Sequence, residues 1–140
     1  MSSNVILINK LSDWTDLDNA LIGEAEGFIS SVSRLKMIEE LNFNSSIIEI
    51  VMSTLYGQAD LALEIFWKDN KKRSDKDVGA IVALAIGTDV IAPDDSVDPF
   101  AWLLQKPDGT SELISLNIEI LDEEQIVEYK IAEQDAAPNP

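Results

Sequence analysis

The side chains of this chain that could do chemistry are carboxylates. It carries 26 Asp and Glu against 10 Lys and Arg, with no histidine and no cysteine. Without those two residue types, Ser-His-Asp and Cys-His catalysis, thiolate nucleophiles, and the zinc, iron or copper sites that depend on them are excluded. Neither GxGxxG nor GxxxxGK followed by Ser or Thr occurs, so the common phosphate cradles are missing. Carboxylates alone can hold a hard cation, work as an acid–base pair, or present negative charge to a partner. Asp94, Asp95 and Asp98 fall in one loop and suit Ca²⁺ or Mg²⁺ by ligand type, but their spacing departs from the EF-hand loop and its closing Glu is absent. Paired carboxylates of the glycosidase kind arise by chance in so acidic a chain. The expectation is a protein that is not an enzyme, with no catalytic residue, no metal and no cofactor. A carboxylate-based, metal-dependent enzyme is the minor alternative.

The formal net charge is −16. Nucleic acid and anionic membrane both demand neutralising cations, so neither is expected as a direct ligand. A basic protein is the expected partner, met by a non-catalytic acidic binding module of the inhibitor, immunity, antitoxin or nucleic-acid-mimic type. Its surface would include Asp94, Asp95 and Asp98 together with Asp122, Glu123 and Glu124. Acidity that serves solubility alone, or adaptation to high salt, competes with this reading. The cations are unevenly placed. Residues 68–76 hold five of the ten, an island of +3 in an otherwise acidic chain. Lys71, Lys72 and Arg73 in that island read either as a solvated loop or as a dock for an acidic group on the same molecule or a second copy. A structural or assembly subunit of a larger complex or viral particle, with homo-oligomers, is the further alternative.

These residues need a scaffold. The length of 140 residues suits one domain, taken as residues 1–132, followed by a polar, disordered C-terminal tail over residues 133–140. No apolar run reaches the length of a membrane span, no signal peptide is evident, and the lack of cysteine leaves the cytoplasm as the expected location. The fold expected is α+β: two long helices and one shorter helix, packed together and against a small antiparallel sheet built mainly from the C-terminal third. The central element is residues 46–68, where Ile48, Val51, Met52, Leu55, Ala59, Ala62, Leu63 and Phe66 recur at helical spacing. Two strands are the rival reading there. Residues 47–51 are β-branched, Leu61, Leu63, Ile65 and Trp67 alternate, and Gly57 is a weak point for a helix.

Trp14, Leu17, Leu21, Ala25, Phe28, Val32 and Leu35 suggest a first long helix from Ser12 or Asp13 to about Lys36, with Gly23 and Gly27 marking a close crossing or a bend. Turn residues 42–45 would join the two antiparallel helices. Ser74 or Asp75 opens a third helix that Gly87 closes, its Ala- and Gly-rich face packing on the central helix. Residues 4–9 read as a strand buried on both faces or tied to a sheet edge. Residues 101–106 and 111–121 flank Pro107-Asp108-Gly109, a hairpin signal, and residues 126–132 follow an acidic turn as another strand. Trp67 and Tyr56 are expected at the margin of the core, where a half-buried ring could anchor a partner.

Overall fold

Residues 47–67 are two long strands with a two-residue strand in the connection between them, not a helix. In the computed structural model, which describes residues 2–42, 44–94 and 98–132, the chain runs β1 (Ser2–Ile8), α1 (Thr15–Glu24), β2 (Ser31–Leu35), a 3-10 turn (Ile38–Glu40), β3 (Ile47–Thr54), β4 (Tyr56–Gly57), β5 (Leu61–Trp67), α2 (Asp75–Ile86), β6 (Val90–Pro93), β7 (Ala101–Gln105), β8 (Ser111–Leu121) and β9 (Glu124–Ile131). All nine strands belong to one sheet in the order β2-β3-β5-β1-β6-β7-β8-β9-β4. The expected two long helices on a small sheet are therefore overturned. The helices are short, ten and twelve residues, and the sheet draws on the whole chain.

The sheet is mixed. β2 lies parallel to β3 and β4 parallel to β9, while the other pairs are antiparallel. β3 and β5 form a hairpin whose partners run from Glu49↔Phe66 to Thr54↔Leu61. The connection between them carries β4 across to the far margin, where Tyr56 and Gly57 pair with Ile126 and Val127. The sheet must curl for one hairpin's turn to reach its last strand. Gly57 makes that approach feasible. Its φ is 88°, and a Cβ there would collide with the Val127 carbonyl oxygen.

Alternation on these strands builds two cores. One face, with Ile6, Ile8, Ile48, Ile50, Leu63, Ile65, Trp67, Val90 and Ala92, is covered by Leu17 and Leu21 of α1 and by Val78, Val82 and Ala83 of α2. The concave face gathers Leu7, Ile91, Leu104, Ile114, Leu116 and Val127 beneath Leu55 and Ala59 of the β3–β5 turn. β1 is central, between β5 and β6, and buries Ile6, Leu7 and Ile8 on alternate sides, so it is no sheet edge. α2 begins where the sequence indicates. The Ser74 hydroxyl accepts the Asp77 N–H at 3.2 Å, and Gly87 closes the helix with φ 70°. Its small face packs on β6 and not on a central helix, with the position of a Gly79 Cβ 2.8 Å from that of Ala92.

The first long helix stops at Glu24. Ala25 is extended at φ −71° and ψ 145°, Gly27 is left-handed at φ 91°, and residues 31–35 leave as β2. Gly23 has open space where a side chain would be, so it serves no close helix crossing. Of turn residues 42–45, Phe43 lies outside the described residues, as does the tail 133–140. Among the described residues no helix is long and apolar enough to cross a membrane.

Candidate functional site

The antiparallel run β6-β7-β8-β9 brings alternate connections to the same end of the sheet. The β6–β7 connection and the β8–β9 turn therefore share one end, and with them most of the acidic residues singled out from the sequence. Asp94 donates its N–H to the Ala101 carbonyl at 3.1 Å, and the Asp98 carboxylate accepts the Phe100 N–H at 2.9 Å. Both hold the entry into β7. Asp95 lies outside the described residues. Asp122 and Glu123 form the two-residue tip between Leu121 and Glu124, which face each other across the hairpin. Both tip residues have positive φ, 51° and 67°. Asp122, Glu123 and Glu124 are exposed.

The β8–β9 hairpin outruns its support. Pairing of β7 to β8 stops at Ala101↔Ser115, while β8 continues to Leu121. Along the concave-face stripe Ile114 and Leu116 are buried, but Ile118 is 41% and Ile120 73% exposed. Phe100 and Leu121 are also exposed. Residues 119–128 contain five carboxylates (Glu119, Asp122, Glu123, Glu124 and Glu128) and no cation. At the hairpin's base a hollow of about 600 Å³ is lined by Gln58, Ser115, Asn117, Glu128, Tyr129 and Lys130. It holds a single carboxylate, Glu128, and places Ser115 opposite Lys130 across β8 and β9. Among the described residues no three carboxylates are grouped to hold a metal ion.

The basic stretch sits elsewhere, between β5 and α2. Lys71 meets Glu24 at 2.8 Å. Arg73 grips Asp69 with both terminal nitrogens, at 2.7 and 2.9 Å, and its guanidinium lies 3.9 Å from the centre of the Trp67 ring. Its side chain is only 2% exposed. The acidic groups that face Lys71 and Arg73 thus belong to the same chain. Lys72 is exposed on the wall of a cleft of about 390 Å³ beside α2. The hydrogen bond from Arg73 is the main reason the Asp69 carboxyl is held down to about 2, with burial opposing it and the Glu26 N–H adding to it. Asp69 in turn raises Arg73 above its ordinary range. Trp67 is buried, not marginal, and donates its indole N–H to Asn4 at 2.8 Å. Asn4 also reaches the Arg73 carbonyl and Asp75, so the cluster ties β1, β5 and α2 together.

A second buried pair, between β3 and the end of β5, was not singled out from the sequence. Glu49 and Lys68 meet at 2.6 Å, their side chains 1% and 5% exposed, and Glu49 also accepts the Asn42 N–H. The available signal was a Glu between Ile48 and Ile50 on a strand. The partner nineteen positions away gave none. Both clusters are structural: every charged group named in them is engaged by another part of the chain.

The chain matches no protein-family model, no curated protein and no solved structure. The narrower labels of inhibitor, immunity protein, antitoxin or nucleic-acid mimic find no support in the fold or in these comparisons.

Proposed function

We propose that this protein is a non-catalytic binding module for a basic protein, met at the acidic end of the β6–β9 meander. The β8–β9 hairpin carries this reading. It projects past β7, and none of the five carboxylates at residues 119–128 takes part in an ion pair among the described residues. Among the described residues only Asp18, Glu24, Glu49, Asp69 and Glu112, the last at the supported end of β8, are matched to a cation, so the projecting part of the hairpin stands apart by the density of its carboxylates. Unmatched like charges on one projecting element raise the local potential and speed encounter with a cation-rich surface. The cytoplasmic location expected of a cysteine-free chain belongs to the same proposal.

The test compares two triple variants of equal charge. One carries Asp122→Asn, Glu123→Gln and Glu124→Gln. The other carries Glu26→Gln, Glu39→Gln and Glu40→Gln, far from the hairpin in sequence. Binding of a short lysine–serine peptide is followed by calorimetry between about 50 and about 300 mM salt. The hairpin variant should weaken binding roughly tenfold at low salt, and the control variant by much less. Equal losses would reduce the acidity to a matter of net charge. Salt-independent binding, or none at low salt, would remove the proposal.

A further inference from the structure

We infer that β2 is a docking edge for a second copy of this chain, the two β2 strands pairing antiparallel about a two-fold axis near Ser33. β2 ends the strand order, so one of its two rows of backbone N–H and C=O groups meets β3 and the other meets no strand. The Ser30 N–H turns inward to the Ser46 carbonyl at 2.7 Å, and alternation from there turns the groups of Ser31, Ser33 and Leu35 outward. The opposite margin of the sheet is closed. There Gln58 donates its N–H to the Val127 carbonyl at 2.9 Å and accepts the Tyr129 N–H at 2.6 Å, which occupies the outer row of β9. Among the described residues nothing does the same for β2. Nor is this edge guarded by charge, a usual protection of an open strand. Arg34 lies back over α1, 2.7 Å from Asp18 and 5.0 Å from the centre of the Trp14 ring.

Symmetry and charge choose the occupant. Phe28 precedes β2, and Met37 and Ile38 follow it, at 84%, 56% and 53% exposure. Antiparallel pairing sets the start of one strand beside the end of the other. Phe28 of each protomer is thereby brought to Met37 and Ile38 of its partner, and the contact forms twice. An unrelated extended peptide satisfies the same backbone groups without that match at both ends. Residues 27–38 contain Arg34 and Lys36 and no carboxylate, in a chain of net −16. The acidic β8–β9 hairpin lies toward the other end of the strand order, so the pair does not set one hairpin against another. Glu26, Glu39 and Glu40 flank the segment, and salt that screens them favours pairing. This dependence on salt is opposite in sign to that expected for a basic partner at the hairpin. Five paired residues with small apolar flanks make a small interface, so the dimer is transient, with a Kd of order 10–100 μM.

Sedimentation equilibrium of the full chain at neutral pH, from about 5 to about 500 μM, reads the mass at about 0.05 and about 0.3 M salt. At the higher salt the mass should climb from 15.4 kDa toward twice that value, and at the lower salt it should climb less. The amides of Ser31, Ser33 and Leu35 should exchange more slowly as concentration rises. Ser33→Pro, which removes an outward N–H, should weaken association about tenfold or more. Where that change loosens the fold, Phe28→Glu with Met37→Glu, at exposed positions outside β2, should give the same loss. A mass that stays at 15.4 kDa up to about 500 μM overturns the inference, as does equal association of the unaltered chain and both variants. Association that protects residues 118–127 in place of 31–35 gives the contact to the hairpin and overturns it too. A chain that stays monomeric while a glutamate–valine peptide protects residues 31–35 makes the occupant a foreign strand and overturns the second copy.

Discussion

Arg73 shows how a single residue can look free in sequence and be held on two sides by the fold. Its guanidinium sits over Trp67 and holds Asp69 with a two-pronged hydrogen bond. Lysine keeps the charge but loses the fork and much of the stacking, so Arg73→Lys should destabilise by about 1–2 kcal/mol and Arg73→Ala by about 3 kcal/mol, read from urea midpoints. The pair also sets an acid limit. Asp69 is lowered from 3.8 to about 2 on folding, so its contribution is complete above about pH 4 and is lost as pH falls toward 2. With some screening by water, that contribution is of order 1–2 kcal/mol. Asp69→Asn should remove this part of the pH dependence and leave the rest of the acid transition in place. Glu49 and Lys68 behave differently. Lys68→Met strands a buried carboxylate and should cost about 3 kcal/mol, whereas adding Glu49→Leu should recover part of it, the Asn42 N–H having lost its acceptor.

At the scale of elements, the two devices that shape the sheet are turns. Asp122 and Glu123 hold left-handed φ at the hairpin tip, where glycine is the residue of choice. Glu123→Gly should therefore stabilise the hairpin by about 0.5–1 kcal/mol, visible as slower amide exchange of residues 118–127. Gly57→Ala should do the reverse. The new Cβ would be driven into the Val127 carbonyl, detaching β4 from β9 at a cost of about 2 kcal/mol or more. These turns also explain what the sequence concealed. β3 and β5 are buried on both faces, with Ile48, Ile50, Leu63 and Ile65 on one side and Glu49 and Phe66 on the other. Such strands read as continuous apolar runs and fill helical positions as readily as alternating ones. Gly57 and the alternation of Leu61, Leu63, Ile65 and Trp67 were the true signals, and they were local. The rest of the evidence was not local, since Tyr56 finds its partner at Ile126, seventy positions on. By contrast α2, the Pro107-Asp108-Gly109 hairpin and β9 were legible, because a cap, a turn triplet and a period of two each act within a few residues. Of the acidic site, the residue types and their turn were legible. The common end shared by Asp94, Asp98 and Asp122 was not, because it depends on strand order. Nor was the exposure of Ile118 and Ile120, which depends on where β7 stops.

For the whole molecule the net charge of −16 acts as self-repulsion in the compact state. Raising salt from about 0.05 to about 0.5 M at neutral pH screens exposed charges, while the buried pairs at Arg73 and Lys68 are screened much less, so the urea midpoint should rise. Acid removes the repulsion in another way. Near the sequence pI of about 4.1 the net charge vanishes, while Asp69, held at about 2, is still ionised and its cluster intact. The molecule should then remain folded and lose what keeps its copies apart. The exposed apolar stripe at Ile118 and Ile120 then becomes the natural contact between copies. Light scattering near pH 4 should show mass rising with concentration past that of a dimer, and Ile118→Ser with Ile120→Ser should suppress that further rise. If both proteins associate alike past the dimer, the contact lies on another surface.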